Sequence, residues 1–236
     1  MKVKVAQCWD DGVATDIRLV ELLRKYKAKA TFNLCPGAMP ENKRIQPYYV
    51  PAEYKGWSFR GFIGGKIALS EMCDIYDGFE VASHCWFHQV AGKVSDEDFT
   101  IAAYDARKFL EDSFQREFRG LAYPCGAFTP GAEQMLRDAG FAYARTVNCT
   151  DNIYSCTNTM EFHPNGKFDD PLFWEKFKKA KENGAFYFWG HSYEMMDKDE
   201  LWDAFEEKLA ILSADSDVEW VNVVDLADEI NSRLAN

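Results

Sequence analysis

The sequence lacks the features that mark membrane, fibrous or disordered proteins. No stretch approaches the roughly 20 consecutive apolar residues that a membrane-spanning helix needs, and no charged and apolar leader precedes the first predicted strand. There is no internal repeat, no low-complexity segment and no linker rich in proline, glycine or serine. The 236 residues are therefore predicted to form one soluble domain, 1–236, with no membrane partner.

Positive charge and paired cysteines are also scarce. The 27 lysines and arginines face 38 aspartates and glutamates, a formal net charge of -11 that argues against nucleic-acid and anionic-membrane partners. The seven cysteines are odd in number and contain no Cys-x-x-Cys pair, which favours free thiols over a disulfide framework. A reducing compartment, by default the cytoplasm, is the expected location.

The sequence does contain a regular alternation of strand-like and helix-like segments. Strands are predicted at 2–6, 29–34, 79–83, 120–123, 141–146, 159–162, 185–189 and 218–221. Helices are predicted at 13–26, 67–76, 95–114, 130–139, 172–183, 198–212 and 224–234, the third with a capping-box pattern at its start. This order predicts a parallel sheet that is closed or nearly closed into a barrel. The irregular, aromatic-rich segment at about 39–65 is predicted to be a long loop insertion, often a lid or a binding loop.

Polar residues that can do chemistry follow the predicted strands. Two adjacent aspartates follow the first strand at the end of its apolar run, and neighbours at a strand end point in different directions. Two histidines four residues apart follow the third strand, a spacing that places both imidazoles on one side of a helical turn. In a closed parallel barrel these positions share one face, where the chemistry of such barrels lies. The residues concerned are Asp10, Asp11, His84, His88, Cys125 and His191.

This set of side chains fits metal-assisted hydrolysis. One carboxylate and two imidazoles leave coordination positions open, as a catalytic metal site requires. Zinc in such a site lowers the pKa of a bound water to about 7, a second carboxylate can take its proton, and a histidine can protonate the leaving group. That inventory predicts cleavage of an amide or an ester. Two histidines and one carboxylate also suit iron(II) in an oxygenase, which the parallel α/β pattern and the extra aspartate disfavour.

Four stretches resemble motifs of the polysaccharide deacetylase family, the NodB-homology domain of carbohydrate esterase family 4. Cys8-Trp9-Asp10-Asp11-Gly12 resembles the first motif, and Ser83-His84-Cys85-Trp86-Phe87-His88 resembles the second. Tyr123-Pro124-Cys125-Gly126 resembles the end of the third motif, and Trp189-Gly190-His191 the last. Order and spacing match over nearly the whole chain. The resemblance implies a deformed (β/α) barrel of seven or so parallel strands.

The resemblance also implies a role for each matched residue. Asp10 stands where the family has its general base, and His191 where it has its general acid. The backbone N–H of Cys125, at a position where the family has tyrosine, would help to hold the oxyanion. The cofactor implied is a divalent metal ion, zinc first, with cobalt, nickel or another transition metal as alternatives. Its implied ligands are Asp11, His84 and His88.

The sequence departs from the family pattern at two places. The arginine of the third motif, which pairs with the base aspartate, is Ala122 here, and Arg119 and Arg145 are the two candidates to supply its charge. The fourth motif, which supports the catalytic histidine, has no counterpart that we could place, and Arg145 is the proposed substitute. Substrate contacts are assigned to Trp86, Tyr123 and Arg145, with packing as an equal alternative for Trp86.

The predicted activity is that of a metal-dependent hydrolase acting on carbon–nitrogen bonds other than peptide bonds. Its expected reaction removes an N-acetyl or related acyl group from an amino sugar or sugar conjugate. One alternative is hydrolysis of a non-sugar C–N bond in a small amide. Another, motivated by the missing arginine, is a barrel that binds carbohydrate with weak or no turnover.

Overall fold

The computed structural model describes residues 2–235 and is built on ten strands and seven α-helices within that range. The strands are β1 (Val3–Asp10), β2 (Thr31–Leu34), β3 (Tyr48–Tyr49), β4 (Phe62–Ile63), β5 (Glu80–Ser83), β6 (Gly120–Ala122), β7 (Tyr143–Arg145), β8 (Gly166–Lys167), β9 (Ala185–Gly190) and β10 (Val218–Trp220). The helices are α1 (Asp16–Lys25), α2 (Leu69–Ile75), α3 (Asp96–Phe114), α4 (Pro130–Asp138), α5 (Phe173–Asn183), α6 (Asp199–Ala214) and α7 (Val223–Leu234).

Eight of the strands form one sheet whose pairings are all parallel. Seven of them follow the order β7-β6-β5-β2-β1-β9-β8, and β10 pairs with the first residues of β1. The sheet curls with its helices into a deformed (β/α) barrel, which confirms the predicted fold class. Within residues 2–235, no helix has the length and apolar character that crossing a bilayer would require.

Strand β1 occupies the middle of the sheet because it can be buried on both faces. Val5 and Trp9 pack into the larger hydrophobic core, while Ala6 and Cys8 pack into a second core on the opposite face. Successive side chains of a strand alternate between faces, so these odd and even positions separate as the sequence pattern requires. Burial on both sides fixes the register of β1 and therefore the position of its last residue, Asp10.

The predicted helices form, with ends close to those expected. In α3, the Ser95 hydroxyl accepts a hydrogen bond of 3.1 Å from the Asp98 backbone N–H, which satisfies one of the free amides of the first turn. In α1, Leu19 and Leu23 are fully buried while charged neighbours face outward, so the amphipathic pattern covers the sheet as predicted.

The sequence prediction of the sheet was wrong at two places between β7 and α5. The strand expected at 159–162 is a short 3₁₀ turn, Thr159–Glu161, because the Asn158 side chain accepts a hydrogen bond from the Met160 N–H and closes the backbone locally. The sheet instead takes β8, which at two residues is too short to show periodicity.

The long insertion at about 39–65 is more regular than predicted. It contains β3 and β4, which pair antiparallel as a separate two-stranded ribbon next to the main sheet. The ribbon packs through Phe62, which is fully buried against Val13 and Tyr193. We call residues 45–66 the ribbon segment, because its two ends are joined by backbone hydrogen bonds between Ile45 and Lys66.

Candidate active site

The end of β1 directs two carboxylates to different partners. Asp10 continues the strand and is 2% exposed, whereas Asp11 turns into the left-handed region with φ 84°. Asparagine and aspartate tolerate this conformation better than most residues, which suits an aspartate here. The turn separates the two side chains, so each carboxylate has its own chemical environment.

Asp11 lies between the two histidines of the second motif. Its Oδ1 is 3.8 Å from Nε2 of His84 and 3.9 Å from Nε2 of His88. One ligand atom from each of the three residues lies within 4.8 Å of the others. One carboxylate and two imidazoles that converge on a common point are a donor set for a divalent transition metal.

The environment of His84 fits metal binding. Its Nδ1 is 2.7 Å from the Ala122 carbonyl oxygen, which can only accept, so Nδ1 carries the proton and Nε2 presents its lone pair towards Asp11. Burial lowers the pKa of His84 to about 4, against the opposing effect of the two aspartates. The ring is therefore neutral near pH 7, the form that binds a metal.

Asp10 is bound by a different set of groups, all of them hydrogen-bond donors. Asn33, at 2.7 Å, donates to one carboxylate oxygen, and the buried guanidinium of Arg145 donates to the other. The guanidinium carbon of Arg145 also lies 4.6 Å from the centre of the Trp189 ring. Burial acts to raise the pKa of Asp10, but Arg145, His84 and His191 outweigh it and hold the pKa well below its usual range.

Of the two arginine candidates, Arg145 contacts Asp10 and Arg119 does not. Arg119 forms hydrogen bonds of 3.0 and 2.7 Å with the carboxylate of Asp228 on α7. Arg145 reaches Asp10 from the end of β7, a strand adjacent to the one that carries Ala122. Arg145 on the adjacent strand thus supplies the positive charge that the family pattern has at the position of Ala122.

His191 follows β9 and faces both carboxylates. Its Nε2 lies 3.8 Å from Oδ2 of Asp10 and 3.9 Å from Oδ2 of Asp11. Its Nδ1 lies 3.6 Å from Oε1 of Glu194, whose other oxygen accepts a 3.2 Å hydrogen bond from the His191 backbone N–H. Burial acts to lower the pKa of His191, but Glu194 and the two aspartates outweigh it and raise the pKa.

The sequence prediction missed Glu194 and Lys167. Glu194 is 7% exposed and forms a 2.7 Å hydrogen bond with Lys167 of β8, in addition to its contacts with His191. A carboxylate three residues after a histidine, on the same turn, was the signal that could have identified it. Glu194 thus lies where a residue supporting the histidine would lie, whereas Arg145, the proposed substitute for the fourth motif, is bound to Asp10.

The remaining predicted residues fall in different places. Cys125 and Gly126 lie in the turn after β6 and form part of the wall of a cavity. Both have positive φ angles, 57° and 69°, and a side chain at Gly126 would collide with Val147. Tyr123 also borders this cavity, but its ring is buried between Phe99 and Phe128 in the core. Trp86 does not contribute to the cavity wall. The predicted substrate contact of Trp86 thus finds no support in this cavity, whereas Tyr123 and Arg145 border it and their substrate contacts stay predictions.

Trp86 lies outside the cavity because it is needed for packing. Its ring meets the edge of Phe109 of α3 at 5.5 Å and covers Gly37, where a side chain would collide with the indole. Gly37 and Trp86 are also joined by a 2.9 Å backbone hydrogen bond. The indole therefore closes the gap between α3 and the turn after β2.

The cavity joins the catalytic candidates to the ribbon segment. Its volume is about 750 Å³, within the range of small-molecule sites, and its floor contains the two aspartates and three of the histidines. Its outer wall is mainly apolar and aromatic. That wall includes Val13, Trp57, Ile63, Val147, Trp189 and Tyr193.

We expect Glu194→Gln to move the alkaline limit of activity to lower pH. The substitution removes a negative charge that helps to raise the pKa of His191, so the protonated imidazole is lost at a lower pH. Profiles of kcat/KM against pH for the wild type and the variant measure the shift, and several-fold less activity is expected on the alkaline side. Glu175→Gln, an exposed residue of α5, is the control. An unchanged alkaline limb would remove the assigned effect of Glu194.

Comparison with known proteins gives one family and one fold. Residues 2–144 match the family model described as "Polysaccharide deacetylase". A putative polysaccharide deacetylase from Mycobacterium smegmatis is 12% identical, with 98% of this chain and 91% of that chain covered at a TM-score of 0.66. No curated protein is similar enough in sequence to match.

Two further solved structures share the fold. A family 4 acetyl xylan esterase from Clostridium thermocellum, in complex with a cobalt ion, is 16% identical, with 96% of this chain and 91% of that chain covered at a TM-score of 0.55. A CE4 family pseudoenzyme from Bacillus anthracis is 15% identical, with 97% of this chain and 66% of that chain covered at a TM-score of 0.55. At these identities the likeness shows the fold, which active and inactive proteins share.

Proposed function

This chain belongs to the polysaccharide deacetylase family, and from that premise we propose that it is a metal-dependent hydrolase that removes an N-acetyl or related acyl group from an amino sugar or sugar conjugate. Family membership supports hydrolytic deacetylation of a carbohydrate. The finer proposal rests on one observation: the two adjacent aspartates at the end of β1 have different neighbours. Asp11 meets two imidazoles, while Asp10 meets Arg145 and faces His191.

The proposed ligands of the metal are Asp11, His84 and His88. Zinc is the first expectation, and cobalt or nickel also suit a site of imidazole and carboxylate donors. A divalent ion held there would make water a stronger acid and polarise the acyl oxygen. The orientation of His84 by the Ala122 carbonyl and its neutral ring at pH 7 support this assignment.

In the proposed reaction, the chain's own residues move the protons. Asp10, ionised throughout the neutral range, accepts a proton from the attacking water, and Asn33 and Arg145 hold its carboxylate in place. The N–H of Cys125 stabilises the negative charge that develops on the acyl oxygen. His191, whose pKa is raised because Glu194 and the two aspartates outweigh its burial, donates a proton to the leaving nitrogen as the C–N bond breaks. The products are a free amine and a carboxylic acid.

The contact between Arg145 and Asp10 bears on the inactive-barrel alternative. That alternative was motivated by the loss of the third-motif arginine at Ala122. In the structure, the buried guanidinium of Arg145 contacts the proposed base, and this contact supports the hydrolase over the inactive barrel.

The function is tested by measuring acetate release. The purified protein, loaded in turn with Zn²⁺, Co²⁺ and Ni²⁺, is incubated with N-acetylglucosamine oligomers, acetylated xylan, an aryl acetate and a simple aryl acetamide. Metal-dependent release of acetate from a sugar substrate is the expected result. Release from the aryl acetamide alone would favour the small-amide alternative, and no release with any metal and any substrate would contradict the proposal.

We also propose that the protein works in a reducing compartment, with the cytoplasm as the expected one. All seven cysteines are free thiols, and Cys8, Cys35 and Cys85 are buried without forming disulfides. Cell fractionation with an antibody against the native protein tests this. Recovery of the protein mainly from outside the cell would contradict it.

A further inference from the structure

Trp189 lies against two cations that contact anionic residues of the site. The guanidinium carbon of Arg145 is 4.6 Å from the centre of its ring, and Nζ of Lys167 is 5.7 Å from it. An aromatic face attracts a cation within about 6 Å of the ring centre. Arg145 contacts Asp10, and Lys167 contacts Glu194. One indole ring is therefore close to groups that contact the proposed base and the neighbour of the proposed acid.

The topology of the sheet brings these residues together. Lys167 of β8 is in register with Trp189 of β9, which is in turn in register with Cys8 of β1. Side chains in register on neighbouring strands point to the same face, and so does Asp10, two residues after Cys8. Arg145 comes from β7, at the opposite end of the strand order from β8. The curl of the sheet thus brings β7 close enough for its arginine to reach the indole ring.

Lys167 does not depend on the ring for its position. Its Nζ is 2.7 Å from Oε1 of Glu194 and 3.6 Å from Oδ1 of Asp169, and 33% of its side chain is exposed. Two carboxylates and water therefore surround this ammonium group. At 5.7 Å, the ring is also near the limit of a cation–π contact.

Arg145 has fewer partners than Lys167. Its side chain is 1% exposed, and its Nη2 donates a hydrogen bond to Asp10. Within residues 2–235, its Nε has no hydrogen-bond partner. A buried guanidinium group needs compensation for the water that it has lost, and an aromatic face supplies part of it. The indole of Trp189 is thus a second group, besides the carboxylate of Asp10, that fixes where this guanidinium lies.

Two other roles for Trp189 make different predictions. The ring is partly buried against the second core and borders the catalytic cavity. Filling space in the core requires volume, which leucine would supply in large part, and a substrate contact would be measured mainly in KM. Support of Arg145 instead requires an aromatic face and would be measured in kcat.

We propose that Trp189 is a positioning residue that holds the guanidinium of Arg145 against Asp10, and so keeps the carboxylate of the base aligned with the attacking water. This inference rests on the proposed deacetylase function. Trp189 acts through Arg145 rather than on the reacting atoms. Its loss would let the guanidinium move away from Asp10, and a displacement of about 1 Å can cost up to about 100-fold in rate.

Kinetics of three variants test the role of the aromatic face. On the metal-loaded protein, with the best acetylated substrate, Trp189→Leu should lower kcat about 10- to 100-fold while KM changes less than about threefold. Trp189→Phe, which keeps an aromatic face, should regain most of the loss. Trp174→Leu is the control, because Trp174 is an exposed residue of α5 outside the cavity wall. A rise in KM at unchanged kcat, or wild-type kinetics in Trp189→Leu, would overturn the inference and leave the proposed function standing.

A double-variant cycle tests whether Trp189 acts through Arg145. Arg145→Gln removes the cation that the ring holds, so Trp189→Leu should cost less than about threefold in kcat in that background. Independent roles would multiply the two single losses instead. A fully multiplied loss in the double variant would overturn the inference.

Nuclear magnetic resonance tests the contact without metal or substrate. A proton above an aromatic ring is shielded, so the Nε–H signal of Arg145 is expected upfield of the signals of exposed arginines. The signal is assigned by its absence in Arg145→Gln, and it should move downfield in Trp189→Leu. An unshielded Arg145 signal in the wild type would overturn the inference, even if Trp189→Leu does not fold. A shielded signal in a wild type that releases no acetate would support the contact and contradict the proposed function.

Discussion

Asp10→Asn is expected to lower kcat by about 10²- to 10⁴-fold while the protein retains its metal. An amide cannot take a proton from water in the neutral range, and general-base catalysis contributes about that factor. The substitution keeps the size of the side chain and an oxygen that can accept a hydrogen bond from Asn33 or Arg145. Steady-state kinetics on the best substrate, with metal content measured on the same samples, gives both quantities.

Two comparisons make this result specific to the base. Asp105→Asn, an exposed aspartate of α3, should leave kcat and metal content unchanged. Circular dichroism of Asp10→Asn should match the wild type, since the buried Arg145 retains a hydrogen-bond partner. Normal turnover in a folded, metal-loaded Asp10→Asn protein would remove the base role from this residue. Loss of metal in that variant would instead place Asp10 among the ligands.

His88→Asn is expected to lower the affinity for zinc by more than about 100-fold and to abolish turnover at limiting metal. Changes to groups that merely orient a metal ligand cost about 10- to 100-fold in affinity, so the loss of a ligand should cost more. Asparagine is the replacement of choice because His88 has φ 59°, a conformation that asparagine tolerates and alanine does not. Competition with a chromophoric chelator measures the affinity.

The chain provides its own control for this experiment. His163 is bound through Nδ1 to the Thr146 hydroxyl at 2.6 Å and takes no part in the three-residue cluster. His163→Asn should keep the wild-type affinity for zinc. Asp11→Asn should weaken binding as His88→Asn does, since it removes the one anionic donor of the cluster. Wild-type affinity in both His88→Asn and Asp11→Asn would show that the metal ligands lie elsewhere.

Much of the fold could be predicted because burial on both faces of parallel strands leaves a strong apolar pattern. Strands of four residues or more, such as β2 and β9, were located correctly, whereas β1 extends to Asp10, beyond its predicted end at residue 6. The short 3₁₀ turn at Thr159–Glu161 was not predicted, because a local side-chain hydrogen bond closes the backbone there. The strand β8 was not predicted, because two residues are too few to show a hydrophobic period.

The site could be predicted only where a motif is local in sequence. Adjacent aspartates and a pair of histidines four residues apart are visible without a structure. The partners of Asp10 and His191 come from other strands, and no spacing rule connects Arg145 to Asp10 across 135 positions. The choice between Arg119 and Arg145 required the order of β6 and β7 in the sheet. Glu194 was missed because a single acidic residue on a turn has many explanations.

The pairing of β1 with β9 and β10 has a consequence for shortened forms of the chain. The match to the family model ends at residue 144, and a fragment cut there would keep all three residues of the candidate metal cluster. It would lose the strands that pair with β1 at Lys4↔Ala185 and Val3↔Val218. The first strand would then expose a long unpaired edge of amide and carbonyl groups, which invites self-association. During synthesis the nascent chain meets the same hazard until β9 has emerged, so early release from the ribosome should yield aggregates rather than a smaller working enzyme.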